Sequence, residues 1–129
     1  MQARVKALCI LSDLERRQGN AVAQIELLGE ALRGQEAVVE AVRGEPAEVV
    51  AAERRVAADL AFRIFRERAD LGVAQDGMVA LREVLQRNPA HHQAGLAIAR
   101  MHLAAGDVNA CMTQCEHLLT DGEISCKGC

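Results

Sequence analysis

The chain has 129 residues, enough for one domain, and half of them are apolar although only Phe62 and Phe65 are aromatic. A formal net charge of -3 gives no electrostatic case for a nucleic-acid-binding protein, and no apolar run is long enough to cross a bilayer. The many Ala, Leu, Glu, Arg and Gln residues favour helices. Composition therefore predicts an all-α protein without membrane insertion.

The first residues do not have the pattern of a secretory signal. The apolar stretch at 7–11 is short, charged residues follow it at once, and no small-residue cleavage site stands after it. We therefore expect a cytoplasmic protein in a reducing compartment, where disulfides are rare.

Apolar periodicity, interrupted by glycine and proline, predicts six helices. The breaker Gly44-Glu45-Pro46 separates the second helix from the third, and Asn88-Pro89 ends the fourth. The predicted helices cover about residues 3–17, 21–42, 47–70, 75–87, 91–104 and 108–120.

Two helices have apolar stripes that predict which face is buried. The first helix has Leu8, Leu11 and Leu14 on one face. In the second helix, Gly29 and Gly34 lower the helix propensity, each by about 1 kcal/mol relative to Ala. The apolar residues of its predicted buried stripe are Ile25, Leu28, Leu32, Val39 and Val42.

Two predicted turns carry glycines that stand 34 residues apart, Gly72 and Gly106. Each glycine follows one helical pattern and precedes another. A helix–turn–helix unit with this period is typical of the tetratricopeptide repeat, which stacks into a solenoid and serves as a binding surface. The pattern therefore predicts an interaction protein rather than an enzyme.

The two units agree at the positions that pack the hairpin. The position of tightest packing holds Gly77 in one unit and Cys111 in the other, and both are small. Gly95 departs from the pattern, because this position is usually large. The other matched sets are Ala61, Ile64 and Phe65 with Gly95, Ile98 and Ala99, and Leu81, Val84 and Leu85 with Cys115, Leu118 and Leu119.

We therefore expect three helical hairpins stacked as a short right-handed solenoid. Residues 1–46 form a degenerate repeat with a long second helix, and 47–91 form a regular repeat with an extended first helix. Residues 92–120 form a truncated repeat, and 121–129 form an irregular tail. The uncapped end of the stack predicts self-association.

The segment 95–115 and the leucines after it resemble a known family. The resemblance is to the tetratricopeptide-repeat subunit of intraflagellar transport complex A (the tetratricopeptide repeat protein 21 family). Its members have a similar helix, a short polar turn and a Cys-x3-Cys helix that ends in paired leucines. Cys111, Cys115, Leu118 and Leu119 match that order.

The resemblance extends upstream, since 60–87 is similar to the family's preceding repeat and 44–46 follows a helix similar to its long-helix insert. It implies a scaffold in retrograde ciliary transport and cilium assembly, located at the cilium or basal body. The implied partners are other protein subunits of a transport complex. Because those proteins have many more repeats, we expect this chain to be a fragment or truncated form.

The cysteines allow a second interpretation. Cys111 and Cys115, with the Cys126-x2-Cys129 pair and His117 nearby, could form a zinc site that stabilises a small helical protein. We favour the interpretation in which Cys111 and Cys115 fill packing positions of the repeat, because a free cysteine behaves as a small hydrophobe. We therefore expect no metal and no cofactor.

No motif predicts a catalytic residue: no glycine-rich phosphate loop follows a strand and no serine has a nucleophile-elbow context. His91 and His92 lie at the start of the fifth predicted helix and are expected to be surface or capping residues. A generic repeat adaptor without a ciliary role remains a third interpretation.

The inner face of a repeat stack is formed by the first helix of each unit. In this chain we expect that face to be a protein-binding surface of mixed apolar and arginine character. It lacks the Asn and Lys array that similar repeats use to hold a terminal carboxylate. We expect it to bind a helix or a neighbouring subunit. The predicted binding residues are Phe62, Arg66, Gln93, Leu96, Arg100 and Leu103.

Overall fold

The computed structural model describes residues 2–72 and 76–127, and side chains for 3–72 and 76–120. Every regular element in these ranges is a helix, which confirms the all-α class for the described residues. The helices are α1 (Gln2–Arg17), α2 (Ala21–Ala41), α3 (Ala47–Asp70), α4 (Gly77–Arg87), α5 (His92–Ala104) and α6 (Val108–Lys127).

The sixth helix is longer than the sequence predicts. The pattern indicated an end near Thr120 and an irregular tail over 121–129, whereas the backbone is helical to Lys127. Residues 121–127 contain no proline, and their single glycine, Gly122, costs only about 1 kcal/mol in a helix. A helix can therefore continue without apolar periodicity. The predicted start of the fourth helix, Gln75, lies outside the described residues.

Three glycines end the first helix of each hairpin in the left-handed conformation. Gly19, Gly72 and Gly106 have φ values of +78°, +72° and +81°. At the first and third turns, the residue after the glycine donates its backbone N–H to the carbonyl five residues earlier. Asn20 donates to Glu15 and Asp107 donates to His102, both at 2.9 Å. The first hairpin therefore has the same turn as the third.

The first turn falls outside the 34-residue period because the helices that follow it are long. Helices α2 and α3 have 21 and 24 residues, whereas α4 and α5 have 11 and 13. The extra residues lie within the helices and leave the hairpin turns unchanged.

Each helix packs on the helix before it and the helix after it in the chain. Side chains also join helices that are not consecutive. Arg63 of α3 forms an ion pair with Asp13 of α1 at 3.0 Å, and Arg87 of α4 forms one with Glu36 of α2 at 2.5 Å. Helix α3 therefore lies beside α1, and α4 lies beside α2.

Two hydrophobic clusters form the core, and α3 belongs to both. The first joins α1, α2 and α3, and the second joins α3, α4 and α5. Because α3 is shared, packing in one cluster constrains the other. The first cluster contains Val5, Leu8, Leu28, Ala31, Leu60 and Ile64, and the second contains Ala58, Phe62, Leu81, Val84, Ala94 and Ile98.

The buried face of α1 differs from the predicted leucine face. Leu8 is buried, but Leu11 and Leu14 are 46% and 49% exposed. Ser12 is fully buried instead. Its hydroxyl donates a hydrogen bond to the Cys9 carbonyl at 2.7 Å, so a polar side chain can occupy the interior.

The buried stripe of α2 is also rotated from the predicted one. The Gln35 side-chain amide donates to the Glu53 carbonyl at 3.0 Å and to the Glu53 carboxylate at 2.6 Å, which allows a glutamine to be buried. Ile25, Leu32, Val39 and Val42 are half-buried. The buried stripe consists of Gln24, Leu28, Ala31, Gln35 and Val38.

Candidate protein-binding groove

An open groove between α3 and α5 brings together five of the six side chains that the sequence predicts for binding. Its volume is about 510 Å³. Leu103 is not part of the lining and is 62% exposed, about one turn beyond Arg100. The lining consists of Phe62, Phe65, Arg66, Gln93, Leu96, Ala97 and Arg100.

The two helices that form the groove run in the same direction. Asp59 of α3 contacts His91 at the start of α5. Further along both helices, Phe65 and Met101 approach the same residue, Gly77. The 34-residue offset therefore places Phe62 and Arg66 at positions of α3 that correspond to those of Leu96 and Arg100 in α5.

His91 fixes the start of α5 against α3. Its Nδ1 accepts a hydrogen bond from the Ala94 N–H at 3.1 Å and so caps the helix. Because Nδ1 is an acceptor, Nε2 carries the hydrogen and donates to Asp59 Oδ1, also at 3.1 Å. The structure confirms the capping role, but His91 is buried rather than on the surface, whereas His92 is exposed.

Phe62 belongs to the core more than to the binding surface. It is only 8% exposed, and its ring centroid lies 4.9 Å from that of His91 and 6.1 Å from that of Phe65. We conclude that Phe62 forms the floor of the groove. Leu96, which is 45% exposed, offers the larger apolar surface to a ligand.

The groove carries positive charge. Arg66 and Arg100 are exposed and form no hydrogen bond or ion pair with the described residues. None of the described lining residues is acidic. The nearby Asp59 is engaged by His91. Two cations therefore face the groove in a chain whose net charge is negative.

Gly77 allows the start of α4 to pack tightly below the groove. A Cβ atom at this position would lie 3.1 Å from Met101 Cε and 3.2 Å from Phe65 Cε1. The sequence predicts a close approach of the second helix of the unit to the first. The structure shows that approach and adds a contact to α5, so that Gly77 meets both walls of the groove.

Gly95 is explained by the packing of α6 on α5. A Cβ atom there would lie 2.7 Å from Leu118 Cδ2 and 3.3 Å from Gln114 Nε2. The space that the large residue of the predicted repeat would fill is therefore occupied by Leu118 of the neighbouring helix. Helix α6 leaves Val108, Met112 and Leu119 more than half exposed, and the predicted self-association stays a prediction.

Cys111 and Cys115 lie side by side, half-buried, on α6. Burial, followed by the neighbouring Cys115 thiol, raises the pKa of Cys111. Cys126 and Cys129 lie outside the residues whose side chains are described. Among the side chains that are described, no three His, Cys, Asp or Glu residues are grouped to hold a metal ion.

Two features of the groove were not predicted from the sequence. Phe65, predicted as a packing residue, also lines the groove. Asp59 lies one turn before Phe62, so the helical period alone places both residues on the same face of α3. Its hydrogen bond to His91 depends on the tertiary structure and could not be predicted from this spacing.

Neither a known protein-family model nor a curated protein matches this chain. No helix in the described part is long and apolar enough to span a membrane. The groove and the residues that form it are therefore the features that indicate a function.

Proposed function

We propose that this chain is a non-catalytic protein–protein interaction scaffold of the tetratricopeptide type, with α1–α2, α3–α4 and α5–α6 as three hairpins of a right-handed solenoid. Three left-handed glycines at equivalent turns support the proposal. The side-by-side packing of odd-numbered helices supports it as well, because stacked hairpins place their first helices in one layer.

The single observation that carries the proposal is the groove between α3 and α5. It is open, it has an apolar floor, and its two exposed arginines are unpaired among the described residues. Partner-binding surfaces are enriched in aromatic residues and arginine at their centre. We place the protein-binding site there, with Arg66, Gln93, Leu96 and Arg100 in contact with the partner.

The ciliary role rests on the resemblance of 95–115 to the intraflagellar transport complex A subunit. In the structure this segment forms most of α5, the turn at Gly106 and the first part of α6. Under this proposal the partners are other subunits of the complex, and the protein acts in the cytoplasm and at the cilium. A generic repeat adaptor is the alternative.

The experiment compares three forms of the full-length gene product in a ciliated cell. They are the wild type, the groove variant Arg66→Glu/Arg100→Glu, and the control Arg16→Glu/Arg82→Glu, which alters net charge equally at exposed residues outside the groove. We expect the wild type and the control to concentrate at the cilium and to co-purify with complex A subunits, and the groove variant to lose them.

Two other results would change the conclusion. Partners that depend on the groove but are not ciliary would favour the generic adaptor. Complex A subunits that bind all three forms equally would contradict the assignment of the groove as the binding site.

A further inference from the structure

The two helices that form the groove carry the same chemical pattern. Phe62 and Arg66 are separated by four residues on α3, and Leu96 and Arg100 are separated by four residues on α5. Side chains four residues apart lie on the same face of a helix. Because α3 and α5 run in the same direction, each helix places an apolar side chain one turn before an arginine. Phe62 lies in the floor of the groove, and Leu96 is exposed beside it.

We propose that the groove binds an acidic amphipathic helix, whose apolar face covers Leu96 and Phe65 and whose carboxylates pair with Arg66 and Arg100. The inference rests on the proposed function, because it names the chemistry of the partner in that groove. Guanidinium groups pair with carboxylates through two parallel hydrogen bonds, which gives both charge and direction to the contact.

The shape of the site favours a helical partner over an extended one. Both walls are helices, whose backbone hydrogen bonds are made internally, so they offer no strand edge to an extended peptide. Packed helices lie about 8–10 Å apart. Carboxylates at positions i and i+7 of a helix are about 10.5 Å apart along its axis. A helix that crosses α3 and α5 can therefore reach both arginines.

Charge complementarity is local rather than global. The whole chain carries a net charge of -3 and repels an acidic peptide at long range. A preference for carboxylates must then come from cations inside the site. Arg66 and Arg100 meet this requirement, since neither is neutralised by a described residue and no described lining residue is acidic.

The experiment measures binding of two synthetic helical peptides by nuclear magnetic resonance of the ¹⁵N-labelled full chain. Both peptides carry the same leucine row, and they differ only at the flanking positions i and i+7, which hold Glu in one and Gln in the other. We expect the Glu peptide to bind about three- to thirtyfold more tightly. The Nε–H signals of Arg66 and Arg100 should shift with it.

Two variants of equal net charge test where the preference arises. In Arg66→Gln/Arg100→Gln we expect equal affinity for both peptides. In Arg16→Gln/Arg82→Gln we expect the preference for the Glu peptide to remain, because these arginines lie outside the groove.

The results separate this inference from the proposed function. Equal affinity of the wild type for both peptides, or a preference that survives loss of Arg66 and Arg100, would overturn the acidic partner. Neither result bears on the cellular experiment, which asks whether complex A subunits bind the wild type and fail to bind the groove variant. The proposed function therefore fails only in the cellular experiment.

Discussion

Asp59 of α3 accepts a hydrogen bond from His91 Nε2 at 3.1 Å, and this contact fixes the position of α5 beside α3. The same imidazole caps α5 through Ala94 and packs on Phe62 in the floor of the groove. One buried side chain thus links the helix start, the second core cluster and the proposed binding site.

The first prediction concerns this histidine. His91→Ala removes the helix cap and a buried ring, and we expect the free energy of unfolding to fall by about 2–4 kcal/mol. Urea denaturation checks the value. The neighbouring His92 is exposed, so His92→Ala should change stability by no more than about 0.5 kcal/mol. Similar losses for both variants would show that His91 is not the cap.

The second prediction concerns tight packing at Gly77. Leucine there would overlap Met101 and Phe65, and we expect a loss of about 1–3 kcal/mol. Gly77→Ala should change stability by less than about 1 kcal/mol, because the Met101 and Phe65 side chains need to shift by only a few tenths of an ångström. Chemical denaturation of each variant gives these values.

Gly29 in α2 is the matched control for Gly77. A Cβ atom at Gly29 meets only the Arg33 side chain, at 3.7 Å. Removing a glycine from the helix interior should therefore stabilise Gly29→Leu by about 0.5–1 kcal/mol. If leucine changed the free energy of unfolding equally at Gly77 and Gly29, α4 would not pack closely against α3 and α5 at Gly77.

The third prediction tests the packing of α6 on α5 with a double-mutant cycle. Gly95→Ala gains helix propensity but displaces Leu118, since the new Cβ would lie 2.7 Å from Leu118 Cδ2. In a Leu118→Ala background the alanine should be better tolerated, with a coupling of about 0.5–3 kcal/mol between the two sites. Additive effects in thermal or urea unfolding would argue that these residues do not touch.

The fourth prediction is a pH dependence that arises from Cys9. Burial raises the pKa of this thiol, the Arg63 guanidinium opposes the rise, and Asp13 adds to it. Its proton is therefore held more strongly in the folded chain than in the unfolded chain. The protonated Cys9 thiol therefore contributes to the free energy of unfolding. This contribution is fully present below about pH 8.5, the ordinary pKa of a cysteine, and is lost as the pH rises through the raised pKa.

Urea denaturation of the wild type and Cys9→Ala between pH 7 and pH 10 measures this contribution. The free energy of unfolding of the wild type should decline more steeply above about pH 8.5 than that of the variant. Parallel curves would exclude a raised pKa at Cys9.

The sequence predicted the helices, and the proximity of Arg66 and Arg100, more accurately than it predicted which polar side chains are buried. Glycines at turns and the breaker at Pro46 mark the helix ends through local backbone preferences. Arg66 and Arg100 could be placed together because the repeat period relates them. These signals need only the chain and its period.

Burial of Gln35 and His91 could not be predicted in this way. Each is buried because it has a partner far along the chain, Glu53 or Asp59. Because the sequence pattern assigns polar residues to the surface, the predicted buried stripe of α2 is rotated by about one residue from the observed one. The length of α6 was missed because its last residues have no apolar period.

Photo-crosslinking tests most directly the central claim that the α3–α5 groove binds another protein. A photoreactive amino acid replaces Leu96 in the groove or Val79 on α4, which are 45% and 52% exposed, in the full-length protein of a ciliated cell. We expect partner adducts from position 96 alone, abolished by Arg66→Glu/Arg100→Glu and retained with Arg16→Glu/Arg82→Glu. The same adducts from both positions, or adducts that persist in the groove variant, would contradict the claim.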